Sequence, residues 1–268
     1  VSKSAGGTFD GNITAAGTLG VTGNVTLSAD ASVGDDLSLV SDGSIVNFGE
    51  NSEISLTHVH NSGLTLASSV GATTFKIGRA GATDAKILFD GNAQDYHIGV
   101  DDTNDSLVIG LGNTLGTTDS MRFDANGIIT KPLQPAFMVK PASAQTGLAH
   151  NTTIVFGTEI FDQNADFTNN TFTAPVTGRY QISFTLYFEN VINNITNFYV
   201  TLELSNRSIY TILDPEAYDL TVTNLSVNFS LLCDMDASDT ALLKYMKNGG
   251  GDTTNGNANS YFSGYLVA

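Results

Sequence analysis

The residues best placed by type and spacing to do chemistry are two histidines in the run Thr57-His58-Val59-His60. Two apart on a β-strand, both imidazoles project to one face. If that face lines a threefold axis, three chains present six imidazoles, a set suited to octahedral iron or nickel more than to tetrahedral zinc. The same spacing also fits a His58 that packs beneath a turn and a His60 that faces water. No other cofactor is implied. Asp101 to Asp105, "DDTND", alternates oxygen side chains as a Ca²⁺ loop does, but it lacks the Gly at the sixth position and the acid at the twelfth that an EF-hand requires. A solvated turn is the expectation there, and equally for Asp162 and Asp166 in "DQNAD". Glycan cleavage needs two carboxylates held a fixed distance apart, one with a raised pKa. The acids here sit mostly beside Gly, Asn and Thr, in turn-like text. No Gly-x-Ser-x-Gly elbow, phosphate loop or His-Glu-x-x-His run occurs. The single cysteine, Cys233, falls in the alternation Val227, Phe229, Leu231, Cys233, a core position rather than a nucleophile's. The chain reads as a non-enzyme.

Composition narrows the partners. Of 268 residues, 27 are acidic and 11 basic, for a formal net charge of −16. Phosphate backbones are bound by clustered Lys and Arg, so nucleic acid is excluded. One cysteine allows no intrachain disulfide and fits synthesis in a reducing cytoplasm. Val1 is not followed by a charged-then-apolar leader, and no apolar run approaches the roughly 18 residues of a membrane span. Membrane insertion is not expected.

The elements that must position these residues fall into three zones. Residues 1–49 read as a glycine-punctuated β-repeat stalk, with apolar residues six apart at Ile13, Leu19, Val25, Ala31 and Leu37 and with Gly11, Gly17 and Gly23 two residues before the first three of them. A six-residue strand-turn unit is too short to cover its own apolar side chain. Cover must come from stacked units of one chain or from three chains around an axis, and the absence of helical periodicity favours the trimer. Residues 50–131 form a middle β region of short runs such as "EISLTHV", "AKILFDG" and "YHIGV" with tight turn signals, suggesting a β-prism or meander. At Pro132, Pro135 and Pro141 three of the five prolines make a stiff joint. Residues 132–268 then show long alternating strands, Tyr180, Ile182, Phe184, Leu186, Phe188 and again Phe198, Val200, Leu202, Leu204, the pattern of an antiparallel jelly-roll sandwich. The fold class is all-β.

Two resemblances attach to these phrases. "DAKILFDGNAQDYHIGVDDTNDSLVIGLGNTLGTTDSMRFDANGIIT" and "GDDLSLVSDGSIVNFGENSEISLTHVHNSGLTL" resemble the stalks of tail-fibre and appendage proteins of tailed bacteriophages, particularly marine ones. That resemblance favours the axial His58 and His60 ring, since such rings occur in some phage needles and fibres. "FTNNTFTAPVTGRYQISF" and the closing "YFSGYLVA" look like the C1q/TNF-like head, which implies a compact homotrimer. The polar insert "KNGGGDTTNGNANS" departs from that pattern near the apex.

Together these features lead to the expectation of a homotrimeric virion structural protein. It would be a tail fibre or capsid-attached decoration protein that contacts other virion proteins and meets a host cell-surface glycan or protein through its head. A non-viral, soluble C1q-like recognition protein is the alternative. With Trp absent, glycan stacking would fall to Tyr210, Tyr218 or Tyr245.

Overall fold

The structure is a computed structural model that describes residues 20–22, 25–27, 31–79, 81–219 and 221–268. Among the described residues every regular element is a β-strand, and each sheet is antiparallel. The chain divides into two compact units, Val1–Phe75 and Lys76–Ala268.

In the first unit, β1 (Ile45–Phe48), β2 (Ile54–Val59) and β3 (Gly63–Ser68) form a three-stranded meander. β1 pairs with β2 across residues 49 and 50, where the sequence places a boundary. Register puts Val46, Leu56 and Leu66 in one row, with Phe48 and Ile54 beside it, so one face is apolar. Of the six-residue repeat, Ile13, Leu19, Gly11, Gly17 and Gly23 lie outside the described residues. Of its described positions, Val25, Ala31 and Leu37 lie in no strand, and Val25 and Leu37 are exposed. A unit that short has nothing of its own to bury against.

The second unit begins with β4 (Ala85–Phe89), β5 (Tyr96–Asp101), β6 (Ser106–Leu111), β7 (Asp119–Phe123) and β8 (Ile129–Thr130), a meander in chain order. Ile87, Ile98, Ile109 and Met121 form a row across four strands, flanked by Phe89 beside Tyr96 and by Val100 beside Leu107. The opposite face carries Lys86, His97, Asp101, Asp119 and Arg122. The loop of residues 112–118 folds over this polar face. Lys86 Nζ donates to Asn113 Oδ1 at 2.7 Å, and His97 Nδ1 lies 2.9 Å from the Gly112 carbonyl. His97, Asp101 and Asp119 are buried while the apolar face stays half exposed.

The remaining strands build a sandwich. One sheet contains β9 (Ala136–Lys140), β11 (Thr158–Asp162), β14 (Gly178–Val191), β17 (Val222–Met235), β19 (Asn255–Gly256) and β20 (Tyr261–Leu266), in the order β11-β9-β20-β14-β17 with β19 also on β14. The facing sheet contains β10 (Thr152–Thr153), β12 (Phe167–Thr168), β13 (Thr171–Thr173), β15 (Ile195–Leu204), β16 (Arg207–Leu213) and β18 (Thr240–Gly249), in the order β12-β13-β18-β15-β16 with β10 on β18. The chain passes repeatedly between the two sheets, with the β12–β13, β15–β16 and β19–β20 pairs each staying in one, as in a jelly roll. The period-two alternation of β14 and β15 points Tyr180, Ile182, Leu186, Phe198, Val200 and Leu202 into one core. Phe137 stacks on Phe167 at 5.1 Å and on Phe172 at 4.8 Å and meets Phe262 edge-on, so the phrase "FTNNTF" seals one end. Each such aromatic pair adds about 0.5–1.5 kcal/mol beyond area burial.

The "YFSGYL" strand has a steric reason for its glycine. A Cβ on Gly264 would stand 2.7 Å from Ile182 Cδ1 and 2.8 Å from Phe137 Cε1, inside a filled core. Gly264→Ala is therefore expected to destabilise the protein by about 1–3 kcal/mol through overpacking, read as a lower denaturant midpoint at unchanged slope. An unaltered midpoint would show that the β9 to β20 contact is looser than described.

Candidate binding surfaces

The first surface is the outer face of the β11-β9-β20-β14-β17 sheet. Because β14 alternates, the residues between its core positions face outward: Gln181, Ser183 and Thr185. Ser183 Oγ lies 2.7 Å from Ser230 Oγ on β17, and Gln181 Nε2 donates to the same Ser230 hydroxyl at 2.8 Å. Ser183, Thr185 and Ser230, with Met138, Asn228, Tyr261 and Ser263, line an open groove of about 540 Å³. It is an uncharged, hydroxyl-rich surface that can exchange hydrogen bonds but holds no acid, base or nucleophile of perturbed pKa.

The second lies where the linker enters the sandwich, a cleft of about 700 Å³ lined by Ser120, Lys131, Pro135, Asp166, Val176 and Leu266 among others. Asp162 caps the turn beneath it: Oδ1 accepts from the Asp166 amide at 3.0 Å and Oδ2 from the Phe167 amide at 2.9 Å. Burial, and secondarily the charge of Asp162, raises the Asp166 carboxyl above its ordinary value. Tyr180 donates to the Val176 carbonyl at 2.7 Å, and burial raises its phenol. "DQNAD" is thus a turn that caps itself, as the sequence suggests.

The polar insert forms the third. Lys247 is only 5% exposed, and its ammonium donates to the Gly251 carbonyl at 2.6 Å and meets Asp252 Oδ1 at 2.7 Å. Gly250 permits this wrap with φ at +63°, where a Cβ would also press Ile195 Cγ1 at 2.8 Å. The insert is therefore anchored to the sandwich rather than loose. Nothing in the sequence pattern singles out Lys247, because its counter-ion and carbonyl come from a loop whose path only the fold sets.

The sequence-predicted residues land as follows. His58 sits on the apolar face of the β1–β3 sheet opposite Leu64. His60 lies past the end of β2, where Asn61 turns the chain with φ at 58°, and its Nδ1 is 3.3 Å from Asp42 Oδ1. The two imidazoles thus have different surroundings. Among the described residues of one chain, no three His, Cys, Asp or Glu gather as metal ligands. Asp101 caps the β5–β6 turn, accepting from Asn104 Nδ2 at 2.7 Å. Cys233 is buried, and burial raises its thiol. Tyr210 and Tyr218 are exposed, as a stacking platform requires, but Tyr245 is core and faces no ligand. That corrects the expectation for Tyr245, which packs on Phe188 and Phe198 instead.

Comparison with known proteins agrees with this architecture for one part of the chain. Residues 136–267 match the family model of the C1q domain. Among solved structures, the globular domain of the zebrafish complement 1qA protein is similar at 18% identity over 50% of this chain and 98% of that one, with a TM-score of 0.38. No curated protein matches the chain. The C-terminal head is therefore C1q-like.

The raised Asp166 carboxyl sets a pH dependence. The folded state holds this proton more tightly than the unfolded chain does, so its favourable contribution is complete below the ordinary carboxylate value and is lost as pH rises through the raised one. Asp166→Asn is expected to raise the melting temperature at pH 7 by roughly 1–3 °C and to leave it unchanged near pH 3. A variant that melts lower at pH 7 would mean that Asp166 is held as a needed carboxylate.

Proposed function

We propose that this chain is a homotrimeric fibre protein of a tailed-bacteriophage virion, with a β shaft and a C1q-like head that meets the host cell surface. The observation that carries this reading is that a matched C1q domain, residues 136–267, follows sheets whose apolar faces stay part exposed within their own units among the described residues. C1q domains commonly form trimers, which suits a shaft that needs other chains to complete it. Three weak contacts on one rigid head gain avidity by being presented together. The stalk phrases support the virion, on tail or capsid, and the C1q match by itself equally suits a soluble recognition protein outside any virus. Exposed Tyr210 and Tyr218 and the hydroxyl-rich groove are the head features available to a glycan or protein ligand. Trimerisation through the apolar face of β1–β3 would also gather three copies of His58, with His60 joining only if it leaves Asp42.

Light scattering of the purified chain at two concentrations is expected to give three times 28.2 kDa at both. Negative-stain images should show a rod ending in a knob, and the protein should sediment with bacterial cells of its host range. A 28.2 kDa monomer overturns the fibre. A trimer that binds no bacterial surface favours the soluble alternative. Elemental analysis of that trimer tests the imidazole ring: metal that His58→Ala removes supports it, and metal-free protein after growth in iron and nickel overturns it.

A further inference from the structure

The β4–β8 sheet is inside out for a lone chain. Its buried face holds His97, Asp101 and Asp119, while Ile87, Phe89, Tyr96, Ile98, Val100 and Leu107 on the other face are 38–53% exposed. No position of that outer face on β4 to β7 carries a charged side chain. At half exposure these side chains leave on the order of 600 Å² of contiguous apolar surface. That sits at the top of what soluble monomers show and near the roughly 800 Å² that each partner gives to a standard interface.

We infer that this face is the shaft's interchain core, and that its occupant is the same face of other copies of this chain. Three observations select a copy over another partner. A basic partner would find no carboxylate here and an acidic glycan no Lys or Arg, so the face offers only apolar contact. Copies each carrying a net charge of −16 repel one another, and an uncharged face is where they can approach at least cost. The third observation is the linker. Gln163 Nε2 reaches the carbonyls of Lys131, Pro132 and Gln134 at 2.8, 2.9 and 2.8 Å, and Asn164 Nδ2 donates to the Leu133 carbonyl at 3.0 Å. The five residues between β8 and β9 are thereby clamped to the head, so chains joined at their heads hold these sheets together at high effective concentration. The sheet closes around the symmetry axis with its polar face outward under the 112–118 loop. This assignment rests on the homotrimer reading and adds which surface makes the shaft.

The test uses the full chain carrying Ile98→Cys, with Ser208→Cys on exposed β16 as the reference; native Cys233 is 1% exposed and inert. Maleimide labelling rates are read on samples whose mass light scattering has fixed. In a trimer, Cys at position 98 is expected to label at least about tenfold more slowly than Cys at position 208, as burial excludes the reagent. Trimer mass with equal labelling rates overturns this inference and leaves the head-mediated trimer standing. Monomer mass overturns both, and points to an occupant other than this chain.

Discussion

A β-sheet with one apolar face holds its shape in water only when something lies against that face. Everything in this molecule follows from where that cover comes from. In the C1q-like head it comes from the same chain: two sheets face each other and interleave Phe137, Phe172, Tyr180, Phe188, Phe198 and Phe262. Burying a side chain of this size contributes about 1.5–3 kcal/mol, and aromatic stacking adds to it. The head can therefore be cohesive as a single copy.

The sheets that precede the head meet the same requirement differently. In the β4–β8 meander the chain's own loop covers the wrong side, sealing Asp101, Asp119 and His97 and leaving isoleucines and aromatics to the solvent. The buried polar face is partly satisfied: His97 Nδ1 meets the Gly112 carbonyl, Asp101 accepts from Asn104 and Asp119 from Arg122, while His97 Nε2, Ser106 Oγ and Asp119 Oδ1 have no partner. An uncovered apolar one is not self-sufficient. The β1–β3 sheet repeats the theme with Val46, Leu56 and Leu66 in one row. On the homotrimer proposed above, the C1q-like head is complete in one chain and the preceding sheets are half built, other copies supplying the missing half.

This division of labour accounts for the sparse chemistry. Acids serve as turn caps, as Asp101, Asp124 and Asp162 do; in Asp124 the backbone amide of Ile128, chief among its hydrogen bonds, holds the carboxyl below its ordinary value. The one buried ammonium, Lys247 among the described residues, anchors an apical loop. Charged groups among the described residues mostly shape surfaces and fix loops.

The sequence alone determined the local periods. Alternation along β14 and β15 fixed which of their side chains point together, because a strand's period of two is a property of its own backbone. The phrases around Phe167 and Phe262 marked the head for a related local reason: aromatics and a small residue at set spacing are what that core needs. The joint's three prolines were visible, but not that Gln163 and Asn164 clamp it. Tertiary structure decided which face of each sheet is inside. Both faces of "YHIGVD" alternate equally well on paper, and only the loop of residues 112–118, arriving from another part of the chain, chose His97 for burial over Tyr96 and Ile98. It likewise set the surroundings of His60, since Asp42 and the turn at Asn61 act on it through contacts that the spacing of two does not contain. A strand's period is written locally, whereas the cover over its face is a long-range fact.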